Sequence, residues 1–124
     1  MDLLSAKISE SELEVMRVLW EAGEPLPVTT LRQELGRRKG WEATTVKTLI
    51  TRLLSKGVLE QEKRKVFFYR PLVSEREYSD WAARDLVDRL FRGSAKDLVA
   101  TLVKSEGLSR EDIEELRAMF RVED

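Results

Sequence analysis

The chain has 124 residues, 22 Lys and Arg against 23 Asp and Glu, a formal net charge of -1, and neither Cys nor His. That length suits one domain, or one small domain with a tail, able to bury a modest core. Without cysteine there are no disulfides, thiolate metal sites or cysteine nucleophiles, and without histidine the commonest general base and metal ligand is gone, so neither an enzyme nor a metal or other cofactor is expected.

The opening MDLLSAKISE lacks the basic and then apolar pattern of a signal peptide, and no apolar run approaches the roughly 20 residues that span a bilayer. A soluble, cytoplasmic chain with no membrane partner is expected. A Ser-x-x-Glu capping box from Ser9 to Glu12, with a second candidate from Ser11 to Glu14, starts the first helix. It runs to about Ala22 on a stripe of Leu13, Met16, Leu19 and Trp20, with Val15 on its flank, and Gly23 ends it. EPLP cannot continue a helix, so residues 23–27 read as a connection. A short second helix follows from about Val28 to Arg37, with Val28, Leu31 and Leu35 inward.

The basic turn RRKGW, residues 37–41, leads into WEATTVKTLITRLLSKG. Such a turn is either a solvated loop or a phosphate contact, and Trp41 reads as a core anchor at the helix entry. In the helix that follows, Val46, Leu49, Ile50, Leu53 and Leu54 fall on one side. The other side holds Thr44, Thr45, Lys47, Thr48, Thr51, Arg52 and Ser55 and no carboxylate, whereas a solvated face usually mixes both signs. Lys56 closes the last turn and Gly57 stops the helix. A helix held by one face and offering Thr, Lys and Arg on the other suits a DNA major groove.

Beyond Gly57 the pattern becomes extended. VLEQEKRKVFFYRPLV predicts strands over about 58–62 and 66–72, joined by a turn at Lys63, Arg64 and Lys65. Three cations at a hairpin tip repel one another unless an anion such as a phosphate backbone relieves them; the alternative is that they discourage edge pairing. Three helices followed by a basic hairpin is the order of a winged helix-turn-helix domain, over residues 1–73.

From Ser74 three further helices are expected, each opened by a capping pair: Ser74 with Glu77, Ser94 with Asp97, and Ser109 with Asp112. Their apolar positions are Tyr78, Trp81, Ala82, Leu86, Leu90 and Phe91; then Leu98, Val99, Leu102 and Val103; then Ile113, Leu116, Met119 and Phe120. Three short helices rarely build a core alone, so residues 74–124 read as a dimerisation region through Tyr78, Trp81, Leu86, Leu90, Phe91, Leu98, Leu102, Ile113, Leu116 and Phe120. The alternative is an intramolecular cap on a monomer. Charge divides the same way. Residues 32–70 hold eleven basic and four acidic side chains, and residues 74–124 nine basic and thirteen acidic. Either a polyanion-binding half is joined to a half with another task, or the unevenness is chance.

LEVMRVLW, the W-x-x-x-T-V-K-T-L-I-T-R-L-x-x-K-G stretch, VFFYRPLV and LSREDIEELR together resemble the bacterial penicillinase repressors, a family that includes the methicillin-resistance and copper-responsive repressors. The resemblance covers nearly the whole chain. It implies a winged-helix domain, a helical dimerisation region, and repression by a homodimer on a near-palindromic double-stranded DNA operator. It also implies DNA contacts at Thr44, Thr45, Lys47, Thr48 and Arg52, with the wing cations Lys63, Arg64 and Lys65 on phosphate. Copper-responsive members use a C-terminal cysteine pair, which is absent here. In antibiotic-responsive members a regulatory protease cuts an Asn-Phe bond, and Thr101-Leu102, in the corresponding place, does not match it. A protein-interaction module without sequence-specific DNA binding is the competing reading.

Overall fold

A computed structural model describes residues 7–121. Six helices and three strands follow in the order α1 (Glu10–Ala22), β1 (Leu26–Pro27), α2 (Val28–Lys39), α3 (Ala43–Ser55), β2 (Leu59–Lys63), β3 (Phe67–Pro71), α4 (Glu75–Leu90), α5 (Ala95–Lys104) and α6 (Arg110–Arg121). The mainly helical class with a small sheet is as expected. Two compact units divide between Trp81 and Ala82, inside α4 and eight residues beyond the boundary read at Val73.

In the first unit, α1 begins at the expected capping box: Ser9 Oγ accepts from the Glu12 N–H at 3.2 Å and the Glu12 carboxylate accepts from the Ser9 N–H at 2.9 Å. The helix buries Val15, Met16, Val18 and Leu19, whereas Leu13 and Trp20 are half-buried. The true inner face is therefore turned from the stripe read in the sequence, because α1 packs against α2, α3 and β3 at once. On α3, Val46, Leu49, Ile50 and Leu53 are buried and Leu54 half-buried. Burying each of the first four contributes about 1.5–3 kcal/mol. Gly57, at φ 76°, takes the left-handed conformation that lets the Val58 N–H return to Leu53 O at 3.2 Å and turns the chain into β2.

The sheet is antiparallel in the order β1-β3-β2. Residues 23–27 are not only a connection: Leu26 pairs with Tyr69 and Pro27 with Phe68, and Pro27, which has no N–H to offer, sits on an edge strand. The hairpin tip also differs from expectation. Lys63 is the last residue of β2, opposite Phe67, and the turn is Arg64–Val66, with the Arg64 N–H donating to Val66 O at 3.1 Å. This register leaves Tyr69 buried and Phe68 and Arg70 more exposed, as strand alternation requires. Beyond β3 the core takes in Val73, whose carbonyl accepts from Trp20 Nε1 at 2.9 Å, and Tyr78, whose ring lies 6.1 Å from Trp20 and 5.9 Å from Trp81.

All three capping pairs expected in the C-terminal half are present, with Glu77, Asp97 and Asp112 N–H groups donating to Ser74, Ser94 and Ser109 at 3.0, 3.1 and 3.0 Å. The second unit forms regular helices but no sealed interior. No residue from 82 to 121 is buried, and Leu90, Met119 and Phe120 are 64%, 63% and 75% exposed.

Candidate nucleic-acid interface

The outward face of α3 is made by its phase. With Val46, Leu49, Ile50 and Leu53 turned to the core, Thr44, Thr45, Lys47, Thr48, Thr51 and Arg52 are all exposed. Two of the threonines are already engaged. Thr48 Oγ1 donates to Thr44 O and Thr51 Oγ1 to Lys47 O, each at 2.9 Å, so both can only accept from an external group. Thr44, Thr45, Lys47 and Arg52 have no side-chain partner among the described residues.

A cleft flanks this face on each side. One, of about 360 Å³, is lined by Ser9, Ser11, Trp41, Thr45, Thr48, Leu49 and Arg52. The other, of about 310 Å³, has Arg32 and Lys47 as its cations above Val28, Ile50, Leu54, Phe67 and Tyr69. Neither lining contains a carboxylate. Burial raises the Tyr69 hydroxyl pKa above its ordinary value, with nearby Arg32 pulling the other way. The sequence offers Ser11 only as a possible helix cap and Arg32 only as one of the basic residues of 32–70, neither as part of this face. The signal available was the helix order itself, since a winged helix brings the first turn of its first helix beside the third.

The basic surround is more heavily paired than its sequence suggests. Arg37 and Arg38 both bind Glu34, and Arg38 also reaches Glu21 at 2.6 Å. Bonds from Arg37 and then Arg38 hold the Glu34 carboxyl below its usual value, while Glu21 and then Glu34 raise that of Arg38. On the wing, Arg64 pairs with Glu62 at 3.3 Å and lies 4.2 Å over the Phe68 ring, and Arg70 pairs with Glu60 at 2.8 Å. The expected mutual repulsion of three tip cations is thus relieved internally for Arg64, leaving Lys63 and Lys65 exposed with no ion pair among the described residues.

One ion pair belongs to the scaffold. Lys56, the C-cap of α3, donates from Nζ to Glu12 Oε1 at 2.5 Å and to Lys7 O at 2.5 Å, and Glu12 is only 2% exposed. Burial pushes the Glu12 carboxyl up, but the Lys56 and Ser9 bonds outweigh it and hold the group below its ordinary value. Sequence reading gave Glu12 a cap and Lys56 a dipole role. The structure joins them, fastening the end of α3 to the start of α1.

Residues 8–121 match the penicillinase repressor family. The chain belongs to that family. Among curated relatives, the methicillin resistance regulatory protein MecI of Staphylococcus aureus (strain N315) is 34% identical over 118 residues, covering 94% of this chain and 95% of MecI. A penicillinase repressor of Bacillus licheniformis is 32% identical over 111 residues, covering 89% and 86%. Among solved structures, the DNA-binding domain of the repressor BlaI superposes with a TM-score of 0.54 at 36% identity, over 58% of this chain and 88% of that one. The monomeric form of B. licheniformis BlaI in complex with the blaP half-operator gives 0.53 at 35% identity, over 59% and 89%. The matched share is what a winged-helix domain without its helical continuation would give.

The dimerisation candidates are spread over both units. Tyr78 packs against the core of the first unit and Trp81 against Tyr78. In the second unit Leu86, Phe91, Leu98, Ile113 and Leu116 are half-buried and Leu90, Leu102 and Phe120 exposed. Val99, Val103, Leu108, Ile113, Leu116 and Phe120, with Arg117, line an open apolar groove of about 250 Å³. Thr101 and Leu102 both lie within α5 and are exposed. Among the described residues no helix is long and apolar enough to cross a membrane.

Proposed function

We propose that this chain is a homodimeric transcriptional repressor that occupies a near-palindromic operator, with α3 in the major groove and the β2–β3 hairpin along the backbone. The observation that carries the reading is the exposed face of α3, which offers hydroxyls and cations without a carboxylate in a domain that superposes on a relative solved with a half-operator. Thr44, Thr45, Lys47, Thr48 and Arg52 are its proposed contacts, with Lys63, Arg64 and Lys65 on phosphate. Support for the dimer comes from residues 82–121, whose apolar faces find no sealed interior within one copy. Two recognition helices about 34 Å apart double the readout that one winged helix supplies. The protein acts by occupancy in the cytoplasm and catalyses nothing, and Thr101-Leu102 makes release by an Asn-Phe-directed protease a poor fit.

The test is a gel shift with DNA from upstream of the chain's own gene against random duplex of equal length, at fixed salt. Preference for the upstream DNA by several orders of magnitude is expected. Equal affinity for both would overturn operator recognition, and no binding to either at low salt would favour a protein-interaction module.

A further inference from the structure

We infer that the cleft between the first turn of α1 and the flank of α3 is a seat for one backbone phosphate of the bound DNA, with Arg52 as its clamp and Ser11, Trp41 and Thr45 as further donors. This rests on the DNA-binding reading and divides the labour within it. The cleft is lined by Ser9, Ser11, Trp41, Thr45, Thr48, Leu49 and Arg52. Among the described residues the Arg52 guanidinium, the Ser11 and Thr45 hydroxyls and the Trp41 indole N–H have no hydrogen-bond partner, so four side-chain donors line an open cleft that no carboxylate lines. An anion is the ligand such a set takes.

The fold decides which anion. A helix in the major groove is walled on both sides by phosphate backbones, and α3 has a carboxylate-free cleft on each flank with its most outward residues between them. Arg52 lines one flank and Lys47 the other. Thr48 supports the division, because its proton is committed to Thr44 O and it adds no donor to the seat. Arg52 therefore fixes the register of the helix on the duplex and carries no sequence information itself.

The experiment measures affinity for the upstream DNA and for random duplex across a range of salt, with Arg52→Ala and Ser11→Asp. Asp in the first turn of a helix favours the helix, so Ser11→Asp places a negative charge in the cleft without loosening the fold, which a melting curve checks. Both variants are expected to weaken binding to the two DNAs by the same factor, roughly tenfold, and Arg52→Ala to lower the salt slope by about one. A loss confined to the upstream DNA, or an unchanged affinity in Ser11→Asp, overturns the phosphate seat. Wild-type protein that binds both DNAs equally would overturn the repressor reading while the cleft is still tested on random duplex.

Discussion

Lys47 and Arg52 stand five residues apart on α3, both exposed and both without a side-chain partner among the described residues, yet they border different clefts. Lys47→Ala is expected to reduce preference for the operator by roughly tenfold or more, since a good base contact is worth about 1–3 kcal/mol, while affinity for random DNA falls much less. Fluorescence anisotropy on both duplexes measures the ratio. Thr48 has a narrower role than its exposure suggests: with its proton spent on Thr44 O, it can accept from an amino group such as adenine N6 or cytosine N4 but cannot donate. None of this distinction is legible in the sequence, where the threonines of the outer face look equivalent. Hydroxyl direction depends on the carbonyl four residues back, which only coordinates supply. The Glu12–Lys56 pair was hidden for a different reason, lying 44 residues apart with each partner already having a sufficient local explanation. Lys56→Met should destabilise the domain by about 2 kcal/mol in urea unfolding, because it strands a carboxylate that is 2% exposed. The Glu12 pKa is depressed in the fold, so its stabilisation is present above the unfolded value near 4.5 and is lost as pH falls through the folded value. Glu12→Gln should flatten that acid limb of the stability profile.

Among the elements, the wing departs furthest from its sequence reading. The alternation gave both strands and the strand pair itself, but the turn moved one residue because the register is set by Tyr69 inside the core and not by the cluster of cations. Arg64 then finds Glu62 and the Phe68 ring, so Lys63 and Lys65 remain as the free charges. Replacing both with Gln should lower the salt slope of binding by about two for operator and random DNA alike, leaving operator preference intact. A slope change with altered preference would show the wing reading bases. Helix starts, by contrast, were legible to within a residue, since a Ser three positions before an acid is a local device that needs no tertiary partner. The rotated inner face of α1 was not legible, because three neighbours press on that helix and a single stripe cannot describe a side buried so widely.

At the scale of the molecule, the division after Trp81 makes a direct prediction about where the first unit ends. A fragment ending at Trp81 should unfold cooperatively, and one ending at Val73 should be less stable by about 1 kcal/mol or more, having lost the Tyr78 ring from Trp20. Chemical denaturation of the two fragments compares them. The second unit tests the dimer: Phe120→Asp, at a residue 75% exposed, should leave the melting of the first unit unchanged but shift the full chain to monomer in sedimentation velocity, with weaker operator binding. If it remains dimeric with unchanged affinity, the apolar faces of α5 and α6 serve something else.

A set of helices with no buried side chain between residues 82 and 121 also bears on time. If the proposed dimer supplies the missing cover, each fall in cellular concentration leaves more chains with an unsealed tail open to housekeeping proteases. Dilution by growth would then be self-reinforcing, with scarce repressor cleared faster than abundant repressor. A promoter under such control would switch off the shield abruptly once synthesis stops, instead of fading in step with cell division.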